Sequence, residues 1–457
     1  MKKEVTAIFD IGKTNKKFFL FDVDFQEVYR EYTSFDQIED EDGYPTEDLK
    51  ALQDWLKNVF QRILKNREFV ITSINFSSYG SSLVHLDSKG EPLTPLYNYT
   101  KPFPENLADS FYKKYGPKSD FLKKTGSSYL GMLNSGLQLY RLKYERPELF
   151  DKIDRSLHLP QYLSYLFTGI PISEYTSIGC HTALWDFSKK DYQDWVYHEG
   201  IHKKLPPIVS TDTSINMNYG EKQIKIGVGI HDSSSALLPY VRNINKPFVL
   251  VSTGTWSIAL NPFSNNLLTA SEINEDCINL MRVDGRPIKA SRLFLGYEYS
   301  HQVKELSKIY KLPEDYHKTV MFDYEIYYDI MKDYEPMFKW VAIKDENAPK
   351  KTTIKHLTFE VAYHQLMIEL IQLQVAKIKM ALGSCNAKRI YLDGGFTNNK
   401  VFIELLSLYL PEMKLRTTEA SLGSALGAAI VISNTKLDSK FLKKNYSLKK
   451  HVSPILK

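Results

Sequence analysis

Two apolar, β-prone runs flank a short polar turn near the N-terminus, and this pattern constrains the fold more than any other. Residues 7–21 predict a strand, a tight bend at Gly12 and a second strand returning beside the first. Backbone amides at such a bend, together with Thr14 and Asn15, suit the binding of phosphate oxygens, and the Asp10 carboxylate suits a phosphate-bound Mg²⁺. Ordinary hairpin chemistry explains the same residues, so the turn alone leaves both roles open.

A second hairpin of the same type follows past the middle of the chain. Residues 250–260 again predict a strand, a bend at Thr253, Gly254 and Thr255, and a returning strand. The recurrence suggests two structurally related halves that face each other, although the two sequences do not repeat.

Length supports a division into two domains. A chain of 457 residues exceeds what one hydrophobic core usually serves. Pro239 and Pro247 bracket a polar connection, which predicts an N-terminal domain over residues 1–240 and a C-terminal domain over residues 241–457.

Composition excludes several functional classes. The net charge of +5, from 59 basic and 54 acidic residues without long blocks, gives no reason to expect a nucleic-acid partner. Three dispersed cysteines indicate neither a disulfide framework nor a zinc site. No signal peptide and no apolar run long enough for a bilayer are found, so we expect a cytoplasmic protein without a membrane partner.

Three other segments have readable patterns. Thr46 is the expected N-cap of an amphipathic helix that starts near Leu49, and residues 358–382 predict a long amphipathic helix. Residues 322–351 are rich in Tyr, Asp and Lys without a clear period, and we expect irregular cover over the second domain there.

A carboxylate follows a short alternating strand at residues 224–230. Asp232 stands at the carboxyl end of this strand and at the expected N-cap of the next helix. Helix capping alone accounts for an Asp at this position. The same position also exposes a carboxylate at the mouth of a cleft, as a general base requires.

Two glycine-containing loops are further candidates for ligand binding. Gly80 and Ser81 lie where one strand passes to the next, from which small polar residues can reach a ligand. Gly394 and Gly395 lie between a strand and a helix, where the backbone can approach a flat ring or a phosphate closely. Plain turn geometry explains both loops almost as well. A small-residue helix at residues 419–429 suits tight packing under the second loop.

In this order the motifs resemble one known family. Asp10-x-Gly12-x-Thr14-Asn15-x-Lys17 is similar to the first phosphate loop of the FGGY sugar kinases, which belong to the actin and Hsp70 superfamily of ATPases. The resemblance extends from Asp10 to Ala429. Asn134-Ser135 with Gln138, and residues 157–177, resemble the branch that phosphorylates L-rhamnulose.

The resemblance implies an α/β fold of two ribonuclease H-like (actin-like ATPase) domains with mixed sheets and a central cleft. It implies an ATP-dependent kinase that uses Mg²⁺ and phosphorylates a sugar such as L-rhamnulose, with Asp232 as general base and Asp10 at the metal. The residues implied for the nucleotide are Gly12, Lys13, Thr14, Asn15, Lys17, Thr253, Gly254, Thr255, Gly394, Gly395 and Asn398. Those implied for the sugar are Gly80, Ser81, His231, Asp232 and Ser233.

Departures from the family pattern keep alternatives open. Lys13 replaces a small hydroxyl residue, and Tyr99 and Lys101 stand where Asp and Arg are usual. L-fuculose, xylulose or another ketose therefore competes with L-rhamnulose. A different class is an actin-like ATPase or sugar sensor that does not transfer phosphate. Base rates for oligomers favour a homodimer.

Overall fold

The computed structural model describes residues 2–419, 422–433 and 435–451. Its contacts divide the chain into two compact units, each discontinuous in sequence. The first unit comprises the residues up to Asn243, Asn265–Ile288 and Leu422–Asp438. The second comprises Ile244–Ser264, Lys289–Ser421 and the residues from Ser439 onward. The boundary expected after residue 240 stays a prediction.

Strands occur throughout the described residues. They are β1 (Lys3–Ile11), β2 (Lys16–Phe21), β3 (Glu27–Thr33), β4 (Gln37–Glu39), β5 (Pro45–Glu47), β6 (Phe69–Ser78), β7 (Leu83–Leu86), β8 (Arg155–His158), β9 (Ser173–Glu174), β10 (Trp185–Asp186), β11 (Asp191–Tyr192), β12 (Ile208–Val209), β13 (Ser214–Tyr219), β14 (Lys222–Gly227), β15 (Ile230–His231), β16 (Val249–Thr253), β17 (Ser257–Asn261), β18 (Cys277–Met281), β19 (Pro287–Leu293), β20 (Arg389–Gly394), β21 (Lys414–Thr417) and β22 (Lys449–Lys450).

The α-helices are α1 (Leu49–Leu64), α2 (Glu105–Tyr115), α3 (Lys118–Thr125), α4 (Ser135–Glu145), α5 (Pro147–Lys152), α6 (Leu159–Thr168), α7 (Tyr175–Ile178), α8 (Asp194–His198), α9 (Asp232–Asn243), α10 (Ala270–Asn274), α11 (Leu295–Tyr310), α12 (Tyr324–Lys332), α13 (Phe359–Leu382), α14 (Lys400–Tyr409), α15 (Gly423–Val431) and α16 (Phe441–Asn445). The described residues also contain four 3₁₀ turns, at Gly131–Leu133, Ile201–Lys204, Tyr316–Thr319 and Gly395–Asn398. No helix of the described residues is both long enough and apolar enough to cross a membrane.

The main sheet of the first unit has the order β13-β14-β6-β1-β2-β3, and β15 also pairs with β6. Strands β1, β6, β14 and β15 are parallel where they pair, whereas β2 is antiparallel to both β1 and β3. Ser78 lies opposite both Ile11 and His231. The carboxyl ends of three parallel strands therefore meet at one edge of this sheet.

The sheet of the second unit repeats this plan. Its strands run in the order β19-β17-β16-β20-β21-β22. Strand β17 is antiparallel to β16 and β19, while β16, β20 and β21 are parallel. Each sheet thus has an antiparallel hairpin beside two parallel strands, as in a ribonuclease H-like domain. The expected fold class of two mixed α/β domains is confirmed.

Apolar faces of helices cover both sheets. Leu52, Leu56 and Phe60 of α1 are buried in one core with residues of β1, β2 and β6. The expected N-cap of α1 was wrong, because the Asp48 side chain accepts a hydrogen bond of 2.9 Å from the Ala51 amide. Thr46 instead lies in β5 and donates its hydroxyl to the Leu96 carbonyl.

The small-residue helix α15 packs within the first unit, against α9 and strands β1 and β6. A Cβ atom at Gly427 would lie 1.9 Å from the Ser235 carbonyl oxygen, so the close approach of α15 to α9 requires glycine. Ala420 and Ser421 of the expected helix lie outside the described residues.

Helix α13 has the bounds that its pattern predicts, forms the centre of the core of the second unit and is capped by Thr358. The expected amphipathic character was wrong, because every residue from 362 to 371 is buried and the helix has no exposed face there. The segment expected to be irregular contains helix α12 followed by non-helical chain. Two buried carboxylates fix that chain: Glu369 accepts hydrogen bonds from the Met337 and Phe338 amides, and Glu298 accepts them from Val341 and Ala342.

Candidate active site

The turn between β1 and β2 is closed by a hydrogen bond of 3.0 Å from the Gly12 amide to the Asn15 carbonyl. Thr14 and Asn15 are exposed at its tip. A Cβ atom at Gly12 would meet the Asn15 carbonyl oxygen at 3.0 Å, which explains glycine there. The turn offers exposed hydroxyl and amide groups to a ligand.

Asp10 ends its strand in a buried position. Its Oδ2 atom accepts a hydrogen bond of 3.0 Å from Ser424 Oγ and lies 3.9 Å from Lys17 Nζ. Burial raises the pKa of Asp10. The Lys17 charge and the Ser424 hydrogen bond lower this pKa, whereas the Asp232 charge raises it further. The two carboxylates therefore lie close enough to interact.

Lys13 extends away from Asp10 into a different environment. Its ammonium lies 3.7 Å from Glu47 Oε1 and 5.2 and 5.0 Å from the ring centres of Tyr79 and Tyr99. Burial lowers the pKa of Lys13, although Glu47 opposes this. The role of Lys13 at a nucleotide stays a prediction.

The loop after β6 lies beside β15. A Cβ atom at Gly80 would lie 3.1 Å from His231 Cδ2 and 3.4 Å from Cys180 Sγ, so a larger residue would displace His231. Ser81 has a φ of 66°, and Gln138 Nε2 donates a hydrogen bond of 2.7 Å to the Ser81 carbonyl. Gln138 is buried, and its Nε2 also donates a hydrogen bond of 2.6 Å to the Met132 carbonyl, so this side chain fixes the Gly80 loop.

Asp232 is the first residue of α9, and its side chain is 34% exposed. One carboxylate oxygen lies 3.2 Å from His231 Nε2 and accepts a 3.2 Å hydrogen bond from Ser233 Oγ. His231 is held by a 3.0 Å hydrogen bond from its amide to Thr176 Oγ1 and by Cys180 Sγ, 3.1 Å from Nε2. The carboxylate is thus oriented by its neighbours and still open to solvent.

The two other departures occupy different surroundings. Lys101 is buried and donates hydrogen bonds of 2.5 and 2.6 Å to Asp40 and Asp42. Tyr99 is half-buried and makes an edge-to-face contact with Tyr79, at 6.0 Å between ring centres. Lys101 therefore has a structural ion-pair network, whereas Tyr99 borders the loop that carries Gly80.

In the second unit, the turn between β16 and β17 leaves Gly254 and Thr255 exposed. The Gly254 amide donates to the Trp256 carbonyl at 2.8 Å. The amides of Gly296 and Tyr297, in the first turn of α11, donate to the Thr255 carbonyl at 3.1 and 3.3 Å. The turn is therefore fixed against the start of a helix.

The glycine pair lies beside this turn. Thr253 pairs with Gly394, whose φ is 89° and where a Cβ atom would lie 1.8 Å from the Thr253 carbonyl oxygen. Thr253 Oγ1 donates to the Asp393 carbonyl at 2.5 Å. Gly395 has open space around its Cα. A cavity of about 680 Å³ adjoins these residues, and its lining includes Gly254, Thr255, Gly296, Tyr297, Gly395 and Asn398.

The predicted site residues thus form two sets. One set lies at one edge of the sheet of the first unit and comprises Asp10, the Gly12–Asn15 turn, Lys17, the Gly80 loop and residues 231–233. Thr253 to Thr255 meet the 394–398 loop in the second unit. The cavity is of a size that holds small ligands such as a nucleoside.

Three contributors were missed from the sequence. Ser424 binds Asp10 from a position 414 residues away, for which no local signal exists. Glu47 is buried beside Lys13, again through a long-range contact. Asn399 caps α14 through a 3.0 Å bond from the Phe402 amide and donates to Tyr363, which fixes the loop next to Asn398. Only this N-cap could have been read from sequence.

Within the described residues, no group of three or more His, Cys, Asp or Glu side chains could hold a metal ion. Asp10 offers a single carboxylate at the phosphate-type turn. This donor set fits Mg²⁺, which commonly takes one or two carboxylates and completes its shell with water and substrate phosphates.

Comparison with known proteins agrees with this geometry. The N-terminal domain of the FGGY family of carbohydrate kinases matches residues 5–238, just over half of the chain. The rhamnulokinase of Halalkalibacterium halodurans is 25% identical over 258 residues, 54% of this chain and 52% of the relative. That of Oceanobacillus iheyensis is 26% identical over 194 residues, 41% and 40% of the two chains. The chain therefore matches about half the length, or less, of these curated relatives.

Solved structures share the fold over nearly the whole chain. A carbohydrate kinase from Novosphingobium aromaticivorans has a TM-score of 0.79 at 22% identity, covering 99% of this chain and 95% of that one. The glycerol kinase of Plasmodium falciparum, solved with ADP, has a TM-score of 0.76 at 19% identity, covering 99% and 94%. Each of the two sheets carries a hairpin, and the candidate site lies at the edge of the sheet of the first unit. Together with the family match over residues 5–238, this shows that the chain belongs to the FGGY family of carbohydrate kinases.

Proposed function

We propose that this chain transfers the γ-phosphate of ATP to a hydroxyl group of a ketose. L-rhamnulose is the first candidate because both curated relatives are rhamnulokinases, and L-fuculose and xylulose are the competitors. The observation that carries the proposal is the partly exposed carboxylate of Asp232 at the same sheet edge as Asp10 and the Gly12 turn.

Phosphoryl transfer needs little covalent chemistry from a protein, so positioning and charge neutralisation dominate. Thr14, Asn15, Lys17 and Thr255 bind phosphate oxygens in this proposal, and the cavity that includes Gly395 takes the adenosine. Asp10 holds Mg²⁺, which neutralises phosphate charge when it is bound with the nucleotide.

Asp232 acts as the general base. It accepts the proton of the sugar hydroxyl as that oxygen attacks the γ-phosphorus, and ADP leaves. A positioned base contributes a factor of about 10² to 10⁴ in rate. His231 and Ser233 contact the carboxylate, and Gly80 adjoins the His231 ring. In this proposal these three residues and Ser81, the next residue of the Gly80 loop, bind the sugar.

ADP release across a panel of ketoses tests the proposal. The panel contains L-rhamnulose, L-fuculose and D- and L-xylulose, with a sugar-free control. We expect at least one ketose to raise the rate by about tenfold or more, since a bound sugar supplies a positioned hydroxyl nucleophile that is missing in the sugar-free control. An equal rate with and without every sugar would favour an actin-like ATPase and overturn the proposal.

A further inference from the structure

A charged cluster lies beside the Gly80 loop, formed by Lys13, Lys16, Glu47, Tyr79 and Tyr99. The Lys16 ammonium lies 3.2 Å and the Lys13 ammonium 3.7 Å from the same carboxylate oxygen of Glu47. Lys13 also lies against both tyrosine rings, within the range of a cation–π contact. The cluster holds Lys13 at the sheet edge rather than in open solvent.

The cluster has unused hydrogen-bonding capacity. Glu47 is buried, yet within the described part of the chain neither of its carboxylate oxygens accepts a hydrogen bond. The buried hydroxyl of Tyr79 likewise has no hydrogen-bond partner there. Buried polar groups are nearly always paired in native proteins, so several unpaired ones around a single loop call for an explanation. A bound ligand with hydroxyl groups would satisfy them.

The cluster also adjoins Asp232. Strand register places Ser78 opposite His231, and Gly80 is in contact with the His231 ring. Burial raises the pKa of Tyr99, and the charges of Asp232 and Glu47 add to that rise. Tyr99 itself lies 5.0 Å from the Lys13 ammonium and 6.0 Å, between ring centres, from Tyr79, which directly precedes Gly80.

We propose that Lys13, which contacts the Tyr79 and Tyr99 rings, and its ion-pair partner Glu47 determine which acceptor the site accepts by hydrogen-bonding hydroxyl groups of the sugar. This inference rests on the proposed function. Lys13 donates and Glu47 accepts, so the cluster suits a polyhydroxylated acceptor that presents a hydroxyl group here. An analogue that lacks this hydroxyl leaves the buried Glu47 oxygens, which already face Lys13 and Lys16, without a hydrogen-bond donor and is rejected strongly.

Single-deoxy analogues of the best ketose test this inference, with kcat/KM measured for each in wild type, Lys13→Met and Glu47→Gln. In wild type, loss of one particular hydroxyl lowers kcat/KM by about 100-fold or more. In either variant that penalty shrinks to about tenfold or less, because the partner group is gone. The KM for ATP of Glu47→Gln stays within about twofold of wild type.

Lys50→Met is the matched control, because Lys50 is an exposed lysine that forms an ion pair with Asp54 on the surface of α1. In Lys50→Met, loss of the same hydroxyl group lowers kcat/KM as much as it does in wild type. Thermal unfolding of each variant reports whether it folds. The measurements on wild type test the inference even where a variant does not fold. If no deoxy analogue lowers the wild-type kcat/KM by more than about threefold, the inference is overturned.

Two further outcomes separate the inference from the proposed function. If wild type turns over ketoses but the variants keep the full deoxy penalty, or Glu47→Gln loses ATP affinity as much as sugar affinity, the inference is wrong and the kinase proposal stands. If wild type turns over no ketose, both are overturned.

Discussion

Asp232 is the residue on which the proposed chemistry depends most. It begins α9, is partly exposed, and contacts His231 and Ser233. From the sequence, an Asp at this position fits an N-terminal helix residue and a general base equally well. A functional measurement is therefore needed to separate the two roles.

Asp232→Asn keeps the size and hydrogen-bonding shape of the side chain but cannot accept a proton. We expect sugar-dependent ADP release to fall by about 10² to 10⁴, with nucleotide affinity retained. Asp194→Asn is the control, because Asp194 also begins a short helix and is exposed. Turnover of Asp232→Asn at the rate of this control would remove Asp232 from the role.

Asp10 is expected to trade stability for function. Burial raises its pKa, and Lys17 and Ser424 offset this only in part, so the ionised form is less stable in the folded chain. Asp10→Asn should therefore unfold at the same or a higher temperature, with the gain larger at pH 8 than at pH 4. Activity should fall by about 10² or more, because the charge that holds Mg²⁺ is lost.

Thermal unfolding at both pH values, together with ADP release, measures this prediction. The pH dependence follows because a raised carboxyl pKa lets the folded chain keep its proton at pH values where the unfolded chain has lost it. A variant that loses stability equally at both pH values, or stays active, would contradict the assignment.

Elements were more predictable than single contacts. Both hairpins and helix α13 follow from apolar patterning alone, because their spacing is local. The N-cap of α1 was misplaced by two residues, since Thr46 is used by a long-range bond to Leu96. The packing of α15 on α9 and β1 could not be read from sequence, since its contacts come from far along the chain.

Two glycines give a matched pair of predictions. Gly427→Ala places a methyl group against the Ser235 backbone, so we expect a loss of about 1–3 kcal/mol in unfolding free energy. Gly395→Ala meets open space, so we expect stability within about 0.5 kcal/mol of wild type. Since Gly395 lines the cavity, the affinity of the Gly395→Ala variant for ATP should fall by about tenfold.

Chemical denaturation and ATP titration separate the two variants. Equal stability of Gly427→Ala and wild type would show that α15 packs differently. Unchanged ATP affinity of Gly395→Ala would place the adenosine elsewhere.

The buried carboxyl group of Glu369, which binds the chain after α12, makes the stability of the fold depend on pH. Burial raises its pKa from 4.5 to about 7, although Gln365 and the Met337 and Phe338 amides oppose the rise. Folding therefore takes up a proton between these two pKa values, and stability falls as pH rises from about 4.5 to about 7. The contribution of Glu369 to this fall is about 3 kcal/mol.

Denaturation of wild type and Glu369→Gln between pH 4.5 and 8 isolates this contribution. The variant should lack that part of the fall. Parallel pH profiles for the two proteins would refute the assignment to Glu369.

At the scale of the whole molecule, the two units repeat one strand order and one hairpin, although their sequences do not repeat. Sequence predicted this relation because the hairpin pattern is local and occurs twice. It could not predict that residues 265–288 and 422–438 belong with the first unit, because such membership depends on tertiary contacts alone.

The central claim is that phosphate moves from ATP to a ketose. ³¹P NMR of the wild-type protein with ATP, Mg²⁺ and the best ketose measures this directly. The account predicts a new phosphomonoester signal that grows in step with ADP while inorganic phosphate stays low. Inorganic phosphate that appears in step with ADP, with no sugar phosphate, would contradict it.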